Sequence, residues 1–119
     1  MAGSPIRNES DLRSTPLRRA ALDVYLAGLA AVVPEAAIPR ILRAEGDTLT
    51  VAGRSYDLVQ GRLLVVGGGK AAGRMAEVVE SIVGPDRIAG GLVVDKNLAG
   101  RPARVRVRRG GHPVPSPEG

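Results

Sequence analysis

Cysteine is absent from this 119-residue sequence, which removes disulfides, thiolate metal ligands, iron–sulfur clusters and cysteine nucleophiles together. Phenylalanine and tryptophan are also absent. With only Tyr25 and Tyr56 as large aromatics, the core must be built from Ala, Val, Leu and Ile, and binding by base stacking has little to work with. The single histidine, His112, leaves little for a zinc site. Lysine is scarce as well: Lys70 and Lys96 stand against fifteen arginines, so both depart from the compositional habit of the chain. Long apolar runs are missing too. The longest, residues 20–33, falls short of the roughly 18 residues a membrane helix requires and contains Asp23. Arg18-Arg19 ahead of it gives a faint likeness to an export signal, but Asp23 interrupts the apolar region, and Leu22, Val24 and Leu29 fit an amphipathic helix instead. The expectation is a chain with no membrane partner, and the lack of cysteine is compatible with a reducing, cytoplasmic location.

What is present suits one domain of ordinary size. Hydrophobic residues make up 44% of the chain, enough for a packed core. The net charge of +5 lies at one end: residues 1–86 carry ten basic and ten acidic side chains, whereas 87–119 carry seven and two. Residues 1–14 are polar and unpatterned and read as a flexible leader, leaving 15–119 as the domain.

Thr15-Pro16 is a helix-start signal, because threonine can accept from a free first-turn amide and proline loses nothing at the first helical position. It predicts a helix over residues 16–33. Pro34 opens a second, shorter helix expected to reach Leu42. Leu49 and Val51, then Tyr56 and Leu58, alternate around Gly53-Arg54 and predict a β-hairpin. Leu63 to Val66 is a continuous aliphatic run of the kind buried on both faces of a parallel sheet, and Gly67-Gly68-Gly69 follow as a turn. From Lys70 to Val83 a helix is predicted, with Ala71, Met75, Val78, Val79 and Ile82 inward, Arg74, Glu77 and Glu80 outward, and Gly84-Pro85 as its stop. Leu92-Val93-Val94 makes a second buried strand. Val105 and Val107 alternate with Arg104, Arg106 and Arg108, as in a half-solvated edge strand. Strand, glycine turn, helix and strand form a βαβ unit. The fold class expected is α/β: the N-terminal part of a doubly wound, mostly parallel, Rossmann-like sheet with a β-hairpin insertion.

The segment VVGGGKAAGRMA carries the most chemistry. Glycines between a strand and a helix let backbone approach a ligand, and the first amides of the helix attract an anion. A Walker motif is excluded, since it would need glycine where Leu64 stands and Ser or Thr where Ala71 stands. Gly67, Gly69 and Ala72 do match the looser dinucleotide pattern, with Asp95 ending the next strand where a ribose-binding acid would sit. The structural alternative is a tight turn with close helix packing and no ligand. Lys70 weighs toward a ligand, because a cation in a first helical turn opposes the helix dipole at a cost of about 0.3–1 kcal/mol, which a bound anion would offset. His112, between glycines and Pro113 in a proline-stiffened loop, is a second candidate, although a lone loop histidine is usually a surface residue. The arginines of residues 101–109 could track nucleic-acid phosphates. Without interleaved aromatics or a recognised binding motif they are better explained by a solvated edge strand, and no nucleic-acid partner is expected.

Taken in order, VVGGGKAAGRMAEVVESIVG, GGLVVDK and GGHPVPSPEG resemble the N-terminal domain of the glycerate 2-kinase family whose C-terminal half is called the MOFRL domain. The likeness spans residues 16–119. It implies transfer of phosphate from ATP, with Mg2+, to the 2-hydroxyl of D-glycerate in a cleft between two domains, the second of which is absent from these residues. Carried over by position, Lys70 matches the active-site lysine, Gly67, Gly68 and Gly69 the anion-binding turn running into Ala71, and His112-Pro113-Val114-Pro115 the HPxP loop. Ser116 departs from relatives that carry an acid there, which puts a charged role at that position in doubt. No metal ligand and no general base can be named. Two other function classes remain open at this point: a nicotinamide-binding oxidoreductase resting on Gly67, Gly69, Ala72 and Asp95, and a non-catalytic interaction module.

Overall fold

The structure, a computed structural model, describes residues 5–117. The chain divides into two compact units, Met1–Val33 and Pro34–Gly119. In the first, Glu9–Leu12 form one helical turn, α1, within the leader, and Pro16–Val32 form the long helix α2. Thr15 Oγ1 accepts the Arg18 amide at 3.3 Å and Pro16 occupies the first turn, as the sequence predicts. The helix stops at Val32 because Val33, held extended before Pro34, cannot continue it. Arg13 ties the two helices together, pairing with Glu9 at 2.6 Å and Asp23 at 2.8 Å. Only Leu22 of α2 is buried. No single helix among the described residues is long and apolar enough to cross a membrane.

The second unit opens with a departure from expectation. The predicted helix over 34–42 stops early: α3 covers only Pro34–Ala37, a 3-10 turn follows at Ile38–Arg40, and Leu42 begins a strand. Pro39 is the cause, since it has no amide to donate and its ring collides with the preceding turn. The strand, β1 (Leu42–Glu45), pairs antiparallel with β2 (Thr48–Val51), which pairs with β3 (Arg54–Asp57). The expected hairpin is therefore the last two strands of a three-stranded meander. Its tight turn falls on Ala52-Gly53, one residue earlier than predicted, both with positive φ (48° and 81°) as a type I′ connection requires.

A parallel sheet follows, in the order β4 (Leu63–Gly68), β5 (Ile88–Asp95), β6 (Val105–Arg109). The crossover from β4 to β5 is the helix α4 (Ala72–Val83), which lies against β5 on one flank and β1 on the other. One core thus serves both sheets: Ile38, Leu42 and Leu49 join Ala76, Val83, Ile88, Val93 and Val105. Burying each large aliphatic among them contributes about 1.5–3 kcal/mol. The fold is α/β with an antiparallel insertion, and β6 is an edge strand with Val105 inside and Arg106 and Arg108 outside, as its alternation predicts.

Four expectations need correcting. Gly67 and Gly68 are the last residues of β4 and not part of the turn, which is confined to residues 69–71. β4 is buried on one face only: Leu63 and Val65 turn toward α4, while Leu64 (59% exposed) and Val66 (78%) face away on the uncovered side of the sheet. Glu80, expected to face solvent, is 5% exposed, and Met75, expected inside, is 47% exposed. The Glu80 carboxylate accepts the amides of Ala103, Arg104 and Val105 at 2.5, 2.7 and 2.7 Å, pinning the start of β6 to α4.

Candidate functional site

In an open α/β sheet, ligands bind beyond the carboxyl ends of the parallel strands, where the loops diverge. At that end of β4, β5 and β6 lies a cleft of about 230 Å³. It is lined by Gly69 and Lys70 after β4, by Val94 and Lys96 at and beyond the end of β5, and by Gly110, Gly111 and His112 after β6. Backbone bonds between neighbouring strand ends hold the rim: the Gly69 amide donates to Val94 O at 2.9 Å, and the Gly110 amide to Asp95 O at 3.3 Å. Gly69 has φ +134°, a conformation that side-chain-bearing residues rarely adopt, so glycine here lets the chain leave β4 toward Lys70.

Lys70 and His112, singled out on separate segments, therefore meet in one cleft, with Gly69 between sheet and lysine. The other predicted residues do not line it. Gly67 and Gly68 border a separate groove along β4 and α4, Ala71 is exposed at the N-cap position of α4, and Pro113 is exposed beyond a cis peptide bond from His112. Lys96 was visible in the sequence as the second lysine of an arginine-rich chain, yet nothing local indicated that its loop would reach the same cleft as Lys70.

The helix N-terminus is satisfied in part from within the fold. Two of its first amides are taken up internally: Ala72 N–H donates to Gly69 O at 3.1 Å, and Gly73 N–H donates to Asp95 Oδ2 at 2.9 Å. Asp95 is fully buried, and its other oxygen accepts the Asn97 amide at 2.7 Å. A carboxylate at the first turn of α4 is the favourable partner for that end of the dipole, so the fold supplies its own anion. The same geometry removes the ribose-binding role expected of Asp95, because both oxygens are committed and neither reaches solvent. Gly73 makes this arrangement possible: a Cβ there would lie 1.8 Å from Ala99 O.

The cleft lining contains two ammonium groups and an imidazole and no carboxylate. Among the described residues neither lysine has an ion-pair partner, and no group of three His, Cys, Asp or Glu is placed to hold a metal. The chemistry available is capture and charge stabilisation of an oxyanion.

A solved structure, that of the PH0495 protein from Pyrococcus horikoshii OT3, is similar with a TM-score of 0.71 and 25% identity over 88% of this chain. The match covers 23% of that protein, so the chain spans less than a quarter of its length. No curated protein matches the sequence. The domain of unknown function DUF4147 matches residues 20–119, and across that span, which includes both sheets, α4 and the lysine cleft, the chain belongs to the DUF4147 family.

Proposed function

We propose that this chain is the part of a glycerate 2-kinase that holds the acidic end of D-glycerate during phosphate transfer from ATP to the 2-hydroxyl. The observation that carries the reading is the convergence of Lys70 and His112 on a cleft without carboxylates. Membership of a family associated with glycerate kinase-like proteins supports it. Phosphoryl transfer depends mainly on positioning and on stabilising charge, and these residues can supply both. The Lys70 ammonium would hold the carboxylate or the transferred phosphate, and the His112 imidazole would orient it. The described residues do not fit a magnesium site, because the cleft has no carboxylate and Asp95 is committed inside. The reading therefore assigns neither Mg2+ nor ATP to any side chain of this chain.

Titrating D-glycerate into the chain by calorimetry tests the proposal. Saturable binding is expected, and Lys70→Ala should weaken it about tenfold or more, as loss of a charge-assisted contact implies. Absence of binding, or indifference to Lys70→Ala, would overturn the reading and favour a non-catalytic interaction module. NADH fluorescence should show no saturable change; a saturable one would favour the oxidoreductase.

A further inference from the structure

Both lysines of a chain that otherwise uses arginine line one cleft. Their placement is matched. In the register of the parallel sheet Gly68 lies opposite Val94, so Lys70 and Lys96 each stand two residues beyond a paired position on neighbouring strands. Adjacent strands run about 4.8 Å apart, so the loops that carry the two lysines leave the sheet side by side. Each base is fixed by a hydrogen bond from a backbone amide: Gly69 N–H donates to Val94 O on one side, and on the other Asn97 N–H donates to the buried Asp95 carboxylate and so brackets Lys96. Two ammonium groups lining one cleft that holds no acid repel each other, and a monoanion relieves only part of that repulsion.

We infer that Lys96 forms a second anion subsite beside Lys70, and that the cleft prefers a small acid bearing two anionic groups, a carboxylate and a phosphate on adjacent carbons, over the acid bearing one. This rests on the functional reading above and adds to it a named residue and a direction of selectivity. Lys70 holds one group and Lys96 the other. On that basis the cleft retains the phosphorylated acid more tightly than the free hydroxy acid, and the selectivity resides in Lys96.

The test compares D-glycerate with 2-phosphoglycerate on the 119-residue chain by calorimetry, with circular dichroism confirming that each variant is folded. The phosphorylated acid should bind about tenfold tighter or more, as a second charge-assisted contact implies. Lys96→Ala should bring the two affinities within about twofold of each other, Lys96→Arg should keep most of the preference, and Lys70→Ala should weaken both ligands. Glycerate binding that depends on Lys70 but shows no preference for the phosphorylated acid overturns the inference while leaving the functional reading standing. The same holds if the preference survives Lys96→Ala. Failure of both ligands to bind overturns the two together.

Discussion

Glu80 illustrates what one residue can do unseen by pattern. On the helical period it belongs to the polar side of α4, yet its carboxylate is enclosed by three amides that lie 23 to 25 residues further along. Nothing near Glu80 in the sequence announces them. Glu80→Ala would strand those amides at the root of β6, and a destabilisation of roughly 1–3 kcal/mol or more is expected by urea unfolding, the cost of leaving buried donors unsatisfied. Glu80→Gln, which keeps an acceptor, should cost less. Asp95 was equally opaque: its position at a strand end is readable, but burial beneath the Asn97 turn is a product of the loop closing over Gly73. Gly73→Ala should therefore destabilise by roughly 1–3 kcal/mol, as overpacking does, and should perturb the amide resonances of residues 96–100 in NMR spectra. Lys70 and His112, by contrast, were legible because their chemistry was anomalous in its own neighbourhood.

Among the elements, those with local signals emerged nearest to expectation. Thr15-Pro16 start α2, Gly84-Pro85 end α4, and alternating valines and arginines mark β6. β1 had no such signal, since Leu42 becomes a strand residue only by pairing with Val51. The meander also contains a correctable flaw. Ala52 adopts φ 48°, which costs an L-residue about 1–2 kcal/mol, and asparagine before glycine is the preferred pair for this turn. Ala52→Asn should raise stability by about 0.5–1 kcal/mol in the same urea assay. The contact between α3 and α4 is pH-sensitive in a defined direction. A hydrogen bond from its own backbone amide, and secondarily Arg74, hold the Glu35 carboxyl below its ordinary range against an opposing effect of burial. The contribution is thus present above the unfolded carboxyl value and is lost as pH falls through the lower folded one. Because both partners are about half exposed, it should be small and weakened by salt. The melting-temperature gap between wild type and Glu35→Gln should close on acidification.

For the whole molecule, the βαβ unit and the parallel order were readable from two aliphatic runs and the helical period between them. The extent of coverage was not, because the same run of Leu63 to Val66 serves a sheet covered on one face or on both. Here Leu64 and Val66 remain open on the same face of the sheet as Arg106 and Arg108, two strands away, in a chain that spans less than a quarter of its solved relative. Purified chain with D-glycerate, ATP and Mg2+ should accordingly form no 2-phosphoglycerate, and measurable product would contradict that expectation. The internal carboxylate under the helix has a last implication. A cradle of peptide amides is indifferent to point mutation, since every residue supplies the same group. This fold satisfies the Ala72 and Gly73 amides itself, so on the proposed reading ligand capture falls to exchangeable side chains on three loops. A ligand preference so built would be open to revision one codon at a time, without any change to the scaffold beneath.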